Sequence, residues 1–143
     1  MATVNPYLTF KGNCEEAFKF YQSVFGGEFP YVGRYKDMPE GSPIPESELE
    51  KIMHISLPIG GGTTLMGADS SEAFGHTTII GDNISIYVAV DSEAEADRVF
   101  NALSVGGAVQ MPLGKTFWGA YFGMFTDKFG INWMLSYDMS EGA

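Results

Sequence analysis

Two stretches of the chain carry the same succession of hydrophobic and polar positions. An extended run, Asn5-Pro6-Tyr7-Leu8-Thr9-Phe10, leads into residues 13–25. There Ala17, Phe20, Tyr21 and Val24 fall on one helical stripe, and Gly26-Gly27 follows. Further along, Ile84 to Val90 alternates with period two and leads into residues 91–103. Ala96, Val99, Phe100 and Leu103 make the matching stripe, and Gly106-Gly107 follows. Asn13 in the first copy, and Asp91 or Ser92 in the second, suit a helix N-cap, and the glutamates after them suit the positive end of the dipole. Each glycine pair can supply the left-handed residue that ends a helix.

Further extended segments follow each helix. The first half offers residues 28–35, 52–59 and 63–68; the second offers 109–113, 121–126 and 132–137. Gly60-Gly61-Gly62 reads as a tight hairpin connection. The predicted order is βαβββ, twice, which is an α+β arrangement with each helix covering one face of a mixed or antiparallel sheet. Residues 1–70 form the first module, 71–82 a linker and 83–143 the second, together one structural domain. Asp37 to Glu50 carries Pro39, Gly41, Pro43, Pro45 and the glutamates Glu40, Glu46, Glu48 and Glu50, so it reads as an acidic loop. Its tail, Pro45 to Leu49, is a candidate for one helical turn.

Composition narrows the function. The chain has 143 residues, 45% of them hydrophobic, which is enough to bury a sizeable core, and its formal charge is -10. A surface this acidic repels phosphate backbones, so no nucleic-acid partner is expected. No apolar run reaches the roughly 18 residues of a membrane helix, and the first residues lack the basic-then-apolar pattern of a secretory signal. The single cysteine, Cys14, excludes an intrachain disulfide and a Cys-based zinc cluster and suits a reducing, cytoplasmic setting. At the start of a helix its thiolate could be stabilised by the dipole; the alternative is an ordinary small residue of the first turn. No Gly-x-Gly-x-x-Gly opens a helix after a strand, and there is no phosphate-binding Gly-Lys-Ser/Thr loop.

The paired βαβββ units, the helix EEAFKFYQSVFGGEF and above all the segment KTFWGAYFGMFTDKFGINWML resemble the PhnB-like branch of the vicinal oxygen chelate superfamily. That superfamily also contains glyoxalase I, extradiol dioxygenases and bleomycin- and fosfomycin-resistance proteins. The resemblance implies a mixed sheet curled around a U-shaped cavity, commonly completed in a homodimer, with metal ligands of the catalytic members on inward-facing strand positions. Matched to those positions, this chain carries Pro6, Ser85 and Met134, with Met66 or a neighbour at the fourth. Proline, serine and methionine are poor ligands for hard or borderline divalent ions, so no metal and no cofactor is expected. Some relatives carry a demethylubiquinone methyltransferase label, for which the chain shows no nucleotide-binding fingerprint.

The candidate chemistry follows from period two. In residues 52–57, Met53, Ile55 and Leu57 make the apolar side, so His54 and Ser56 face the other way. An imidazole there could act as a general base, hydrogen-bond a ligand, or serve structure alone. Ile84, Ile86, Val88 and Val90 face the helix and leave Ser85, Tyr87 and Ala89 opposite. The last strand likewise sends Trp133, Leu135 and Tyr137 one way and Asn132, Met134 and Ser136 the other. Trp118 and Tyr121 are expected to border this mixed lining, Lys115 is the nearest cation, and Met66 and Met134 would make an adaptable apolar wall. Gly119 and Gly123 read as turn or close-approach positions. His76, in a polar connector, reads as solvated. Such a lining suits a small organic ligand; a partly hydrated dimer seam is the other reading. Three functions fit: a metal-independent small-molecule binder, an enzyme of the same fold with His54 as base, and a resistance-type protein that sequesters a toxic compound.

Overall fold

A computed structural model describes residues 2–39, 44–72, 75 and 77–139. Glu40, Gly41, Pro43 and His76 lie outside the described residues. The chain forms two compact units, Met1–Ile79 and Ile80–Ala143. The first contains β1 (Tyr7–Phe10), α1 (Cys14–Phe25), β2 (Tyr31–Arg34), β3 (Ile52–Gly60) and β4 (Thr63–Asp69). The second contains β5 (Ile86–Val90), α2 (Glu93–Leu103), β6 (Ala108–Lys115), β7 (Ala120–Thr126) and β8 (Asn132–Asp138). The doubled βαβββ order and the α+β class are as the sequence indicates. The strands make two four-stranded mixed sheets, one per unit and neither closed into a barrel, ordered β1-β4-β3-β2 and β5-β8-β7-β6. In each the outer pair β1/β4 or β5/β8 is parallel and the remaining pairs are antiparallel.

Each helix covers one face of its own sheet. On α1 the buried stripe is Cys14, Ala17, Phe18, Tyr21 and Val24, spaced at three and four residues as a helix packed on a sheet requires. Phe18 takes the core place expected of Phe20. It lies against Gly67 of β4, where a Cβ would come within 2.6 Å of its ring. On α2 the expected Ala96, Val99, Phe100 and Leu103 are all buried, and Phe100 meets Phe125 edge-on at 4.9 Å between ring centres. Gly123 of β7 admits that ring: an added Cβ would sit 2.7 Å from Phe100 and 3.0 Å from backbone atoms of β6.

The capping differs between the copies. Ser92 caps α2 through its side chain, which accepts a hydrogen bond from the Glu95 amide at 3.1 Å. Asn13 occupies the equivalent place on α1 but its side chain makes no cap bond. Asp69, at the end of β4, takes over: one carboxylate oxygen accepts from the amides of Gly12 and Cys14 and the other from that of Ile52, each at 2.9 Å. Gly26 ends α1 at φ +78°, and Gly106 closes the turn after α2 at φ +76°. Short 3-10 turns at Tyr35–Asp37 and Glu46–Glu48 bracket the acidic loop, the second where one helical turn was expected.

Two expected facings change. β3 carries a bulge, because Gly33 pairs with His54 while Arg34 pairs with Ile52, leaving Met53 over. Ile52 therefore enters the core beside Ile55 and Leu57, and Met53 is displaced from the apolar side. Ile84 lies before β5, is largely exposed and does not face α2. Among the described residues no helix is long and apolar enough to cross a membrane.

Candidate functional site

With α1 on one side, the other face of the first sheet is open. Its residues are brought together by register, since directly paired residues share a face. Tyr31 pairs with Ser56, Ser56 with Met66 and Met66 with Tyr7, so one row crosses all four strands. His54 stands one step along β3, opposite Gly33. Tyr31 leans over that glycine: a Cβ on Gly33 would lie 2.6 Å from the Tyr31 hydroxyl. The lean sets the ring of Tyr31 5.6 Å from that of His54, and Tyr7 flanks the same imidazole at 5.6 Å. The Tyr7 hydroxyl and His54 Nδ1 are hydrogen-bonded at 3.0 Å.

Beside this cluster lies an open concavity of about 800 Å³, lined among others by Tyr7, Thr9, Tyr35, Met38, Met53 and Ala68 and by the segment 77–79. Its polar groups are hydroxyls and Asp69, whose oxygens already accept three backbone amides. The Tyr35 hydroxyl is likewise committed, donating to the Asp69 carbonyl at 2.7 Å. Among the described residues that line it there is no Lys or Arg. A smaller, more polar hollow of about 430 Å³ shares Ser70, Thr77 and Thr78 with it and holds Lys11, Lys51, Glu48 and Glu72. There Lys51 is ion-paired with Glu48 and holds that carboxyl below its ordinary range.

The second sheet repeats the row. Tyr87 pairs with Met134, Met134 with Met124 and Met124 with Met111. Tyr87 is 59% exposed and Met111 43% exposed. Trp118, in the turn between β6 and β7, is exposed and meets Phe122 edge-on. Tyr121 does not join these residues. It projects toward α2, where its hydroxyl donates to Asp97 at 2.6 Å, a bond that, with burial, pushes it up to about 12. Asn132 has a tethering role: its amide donates to the carbonyls of Gly81 and Ile84, and its oxygen accepts from the Thr126 hydroxyl. Ser85 is half-buried just before β5.

Among the sequence candidates, then, His54, Ser56 and Met66 meet on the first open face, and Tyr87 and Met134 on the second. Tyr7 and Tyr31, missed in the sequence, complete the first. Period two along residues 5–10 would have put Tyr7 opposite Phe10, but only the pairing with β4 shows that it reaches His54. Cys14 is fully buried, and burial, with the neighbouring Asp69 and Glu15 carboxylates, pushes its thiol up, so it remains a packed thiol.

Residues 2–136 match the model of the family described as 3-demethylubiquinone-9 3-methyltransferase. The chain belongs to this PhnB-like family. Its sequence is 45% identical to protein PA1353 from Pseudomonas aeruginosa, whose crystal structure superposes with a TM-score of 0.84 over 96% of this chain and 98% of that one. A putative 3-demethylubiquinone-9 3-methyltransferase, PhnB protein, from Bacillus cereus is 31% identical, with a TM-score of 0.75 over 95% and 99% of the two chains. A glyoxalase/bleomycin resistance protein/dioxygenase family enzyme from Burkholderia phytofirmans shares the fold at 17% identity, with a TM-score of 0.61 over 94% and 96%.

The strand positions at which the resemblance implies metal ligands carry no suitable set in this chain. Tyr7 pairs with Met66 just as Tyr87 pairs with Met134. The internal counterpart of Ser85 is therefore Asn5, and Pro6 is one residue out of step. The Asn5 side-chain oxygen is already taken by the Thr64 amide at 2.9 Å. An amide, a hydroxyl and two thioethers do not suit a hard or borderline divalent ion. Among the described residues, no three His, Cys, Asp or Glu side chains gather to hold one.

Proposed function

We propose that this PhnB-like protein binds a small, partly aromatic organic molecule on the open face of its first sheet, without a metal ion. The observation that carries this reading is the cluster Tyr7–His54–Tyr31 standing beside an 800 Å³ concavity. A pocket of that volume, mostly apolar with a few hydrogen-bonding groups, is of the size and character of small-molecule sites. Two tyrosine rings offer flat surfaces for a ring to stack on, Met38, Met53 and Met66 adapt in shape, and His54 and Ser56 offer polar contacts. The lining supports an uncharged ligand, because its described residues include no Lys or Arg to meet an anion and the nearby Lys51 is already paired with Glu48.

On the second sheet, Tyr87 and Met134, with Met124 and Met111, are proposed as a further adaptable apolar surface, and Trp118 as its border. The name of the Bacillus cereus relative says methyltransferase; this chain's sequence offers no glycine-rich nucleotide loop to support that chemistry.

The test is a screen of flat aromatic ketones and phenols by protein-observed NMR, with and without chelator. Shifts should concentrate on Tyr7, Thr9, His54 and Met66 and be indifferent to EDTA. His54→Ala should weaken the best binder about tenfold, the worth of one hydrogen bond of about 1.4 kcal/mol. Unchanged affinity in a His54→Ala variant of unchanged stability would reject the site, and binding abolished by EDTA would reject its metal independence.

A further inference from the structure

The bond between Tyr7 and His54 decides what the imidazole can offer a ligand, and this deepens the reading above and rests on it. A phenol is a stronger proton donor than a neutral imidazole N–H. An imidazole nitrogen, with an ordinary pKa of about 6.5, is a stronger acceptor than a phenol oxygen. Across the 3.0 Å contact the Tyr7 O–H therefore donates to Nδ1. Partial burial and the neighbouring Cys14 push the Tyr7 hydroxyl above its ordinary value, so it keeps its proton. A neutral imidazole has one N–H, and with Nδ1 serving as acceptor that hydrogen resides on Nε2. The rings of Tyr7 and Tyr31 flank the imidazole and limit its rotation. Among the described residues, no protein group is hydrogen-bonded to Nε2.

We propose that Tyr7 is a positioning residue that fixes neutral His54 as the Nε2–H tautomer, so that His54 recognises a carbonyl-type oxygen on a flat, uncharged ligand. In this state Nε2 has no lone pair to receive a proton, so His54 faces the ligand as a donor and not as a base. What remains is a hydrogen-bond donor beside two stacking surfaces, selecting a ligand by one acceptor atom and its aromatic frame.

Long-range 1H–15N correlation spectra of protein labelled at histidine read the tautomer directly, and a His76→Gln variant assigns the two rings. In its neutral form, unliganded His54 should be held as Nε2–H. Tyr7→Phe should admit the Nδ1–H form, whereas Gly33→Ala, which displaces Tyr31 but leaves the Tyr7 hydroxyl, should not. An Nδ1–H ring in the unsubstituted protein, or a tautomer ratio unmoved by Tyr7→Phe, overturns the positioning role. Acetophenone should then shift the Nε2–H resonance, and ethylbenzene, which lacks the oxygen, should leave it in place. An equal response to both overturns the acceptor preference. Silence toward both overturns the reading of this face as a ligand site, while the tautomer result stands by itself.

Discussion

Asp69 holds together two separate parts of the first unit. Its carboxylate is buried, and it ties the entry to α1, through Gly12 and Cys14, to the start of β3, through Ile52. The amides of Cys14 and Ile52 would otherwise be buried without an acceptor and that of Gly12 would be left part-buried; each buried loss costs about 1–3 kcal/mol before the structure relaxes. Asp69→Asn keeps the shape but turns one acceptor into a donor pointed at an amide N–H. We expect a loss of about 2–4 kcal/mol in urea unfolding, given the size of such desolvation costs; a change below 0.5 kcal/mol would show that water replaces the carboxylate at no loss. None of this was legible in the sequence. Asn13 stands where a cap belongs, and nothing in the local pattern announces that an aspartate at the far end of β4 serves in its place.

At the scale of elements the sequence was far more informative. Alternating and helical periods located the strands and both α-helices of the described residues, because each element buries one face on the core of its own unit. The errors fall where tertiary contacts override period. The bulge at Met53 exchanges which residues of β3 face inward, and a bulge depends on the partner strand. Tyr121 was expected to border the open lining with Trp118, yet it lies with Gly123 and Phe125 on the side that α2 covers. Helix-to-sheet packing here depends on glycines. Gly123→Ala would press a methyl into Phe100 and into the backbone of β6, which cannot move aside as a side-chain tip can. Overpacking of this kind costs about 1–3 kcal/mol, and thermal unfolding should show it. Gly114→Ala, whose Cβ would meet only one atom at 3.9 Å, serves as the mild comparison. Equal melting temperatures for the two variants would contradict the packing described.

For the whole molecule, charge and exposed apolar surface pull in opposite directions. Tyr87, Met111, Phe117 and Trp118 are large apolar side chains left exposed on the second unit, and exposed apolar side chains of this kind are candidates for an interface. Self-association, proposed here as a homodimer, would cover them. Two chains of formal charge -10 repel one another, and salt screens that repulsion over about 8–10 Å at physiological strength. Sedimentation at micromolar concentration should therefore show a dimer that strengthens from low to moderate salt. A monomer of 15.6 kDa at every salt concentration would rule it out.

The parallel pairing in each unit joins its first strand to its last, β1 to β4 and β5 to β8. Neither sheet has a seat for its opening strand until its closing one exists. During synthesis the first sheet can be completed only once residues 63–69 have emerged, and the second only once 132–138 have. Contacts this distant along the chain are slow to form, and each delay leaves aromatic side chains of the core in water. Building the molecule from the same plan twice sets that requirement twice, once in each half.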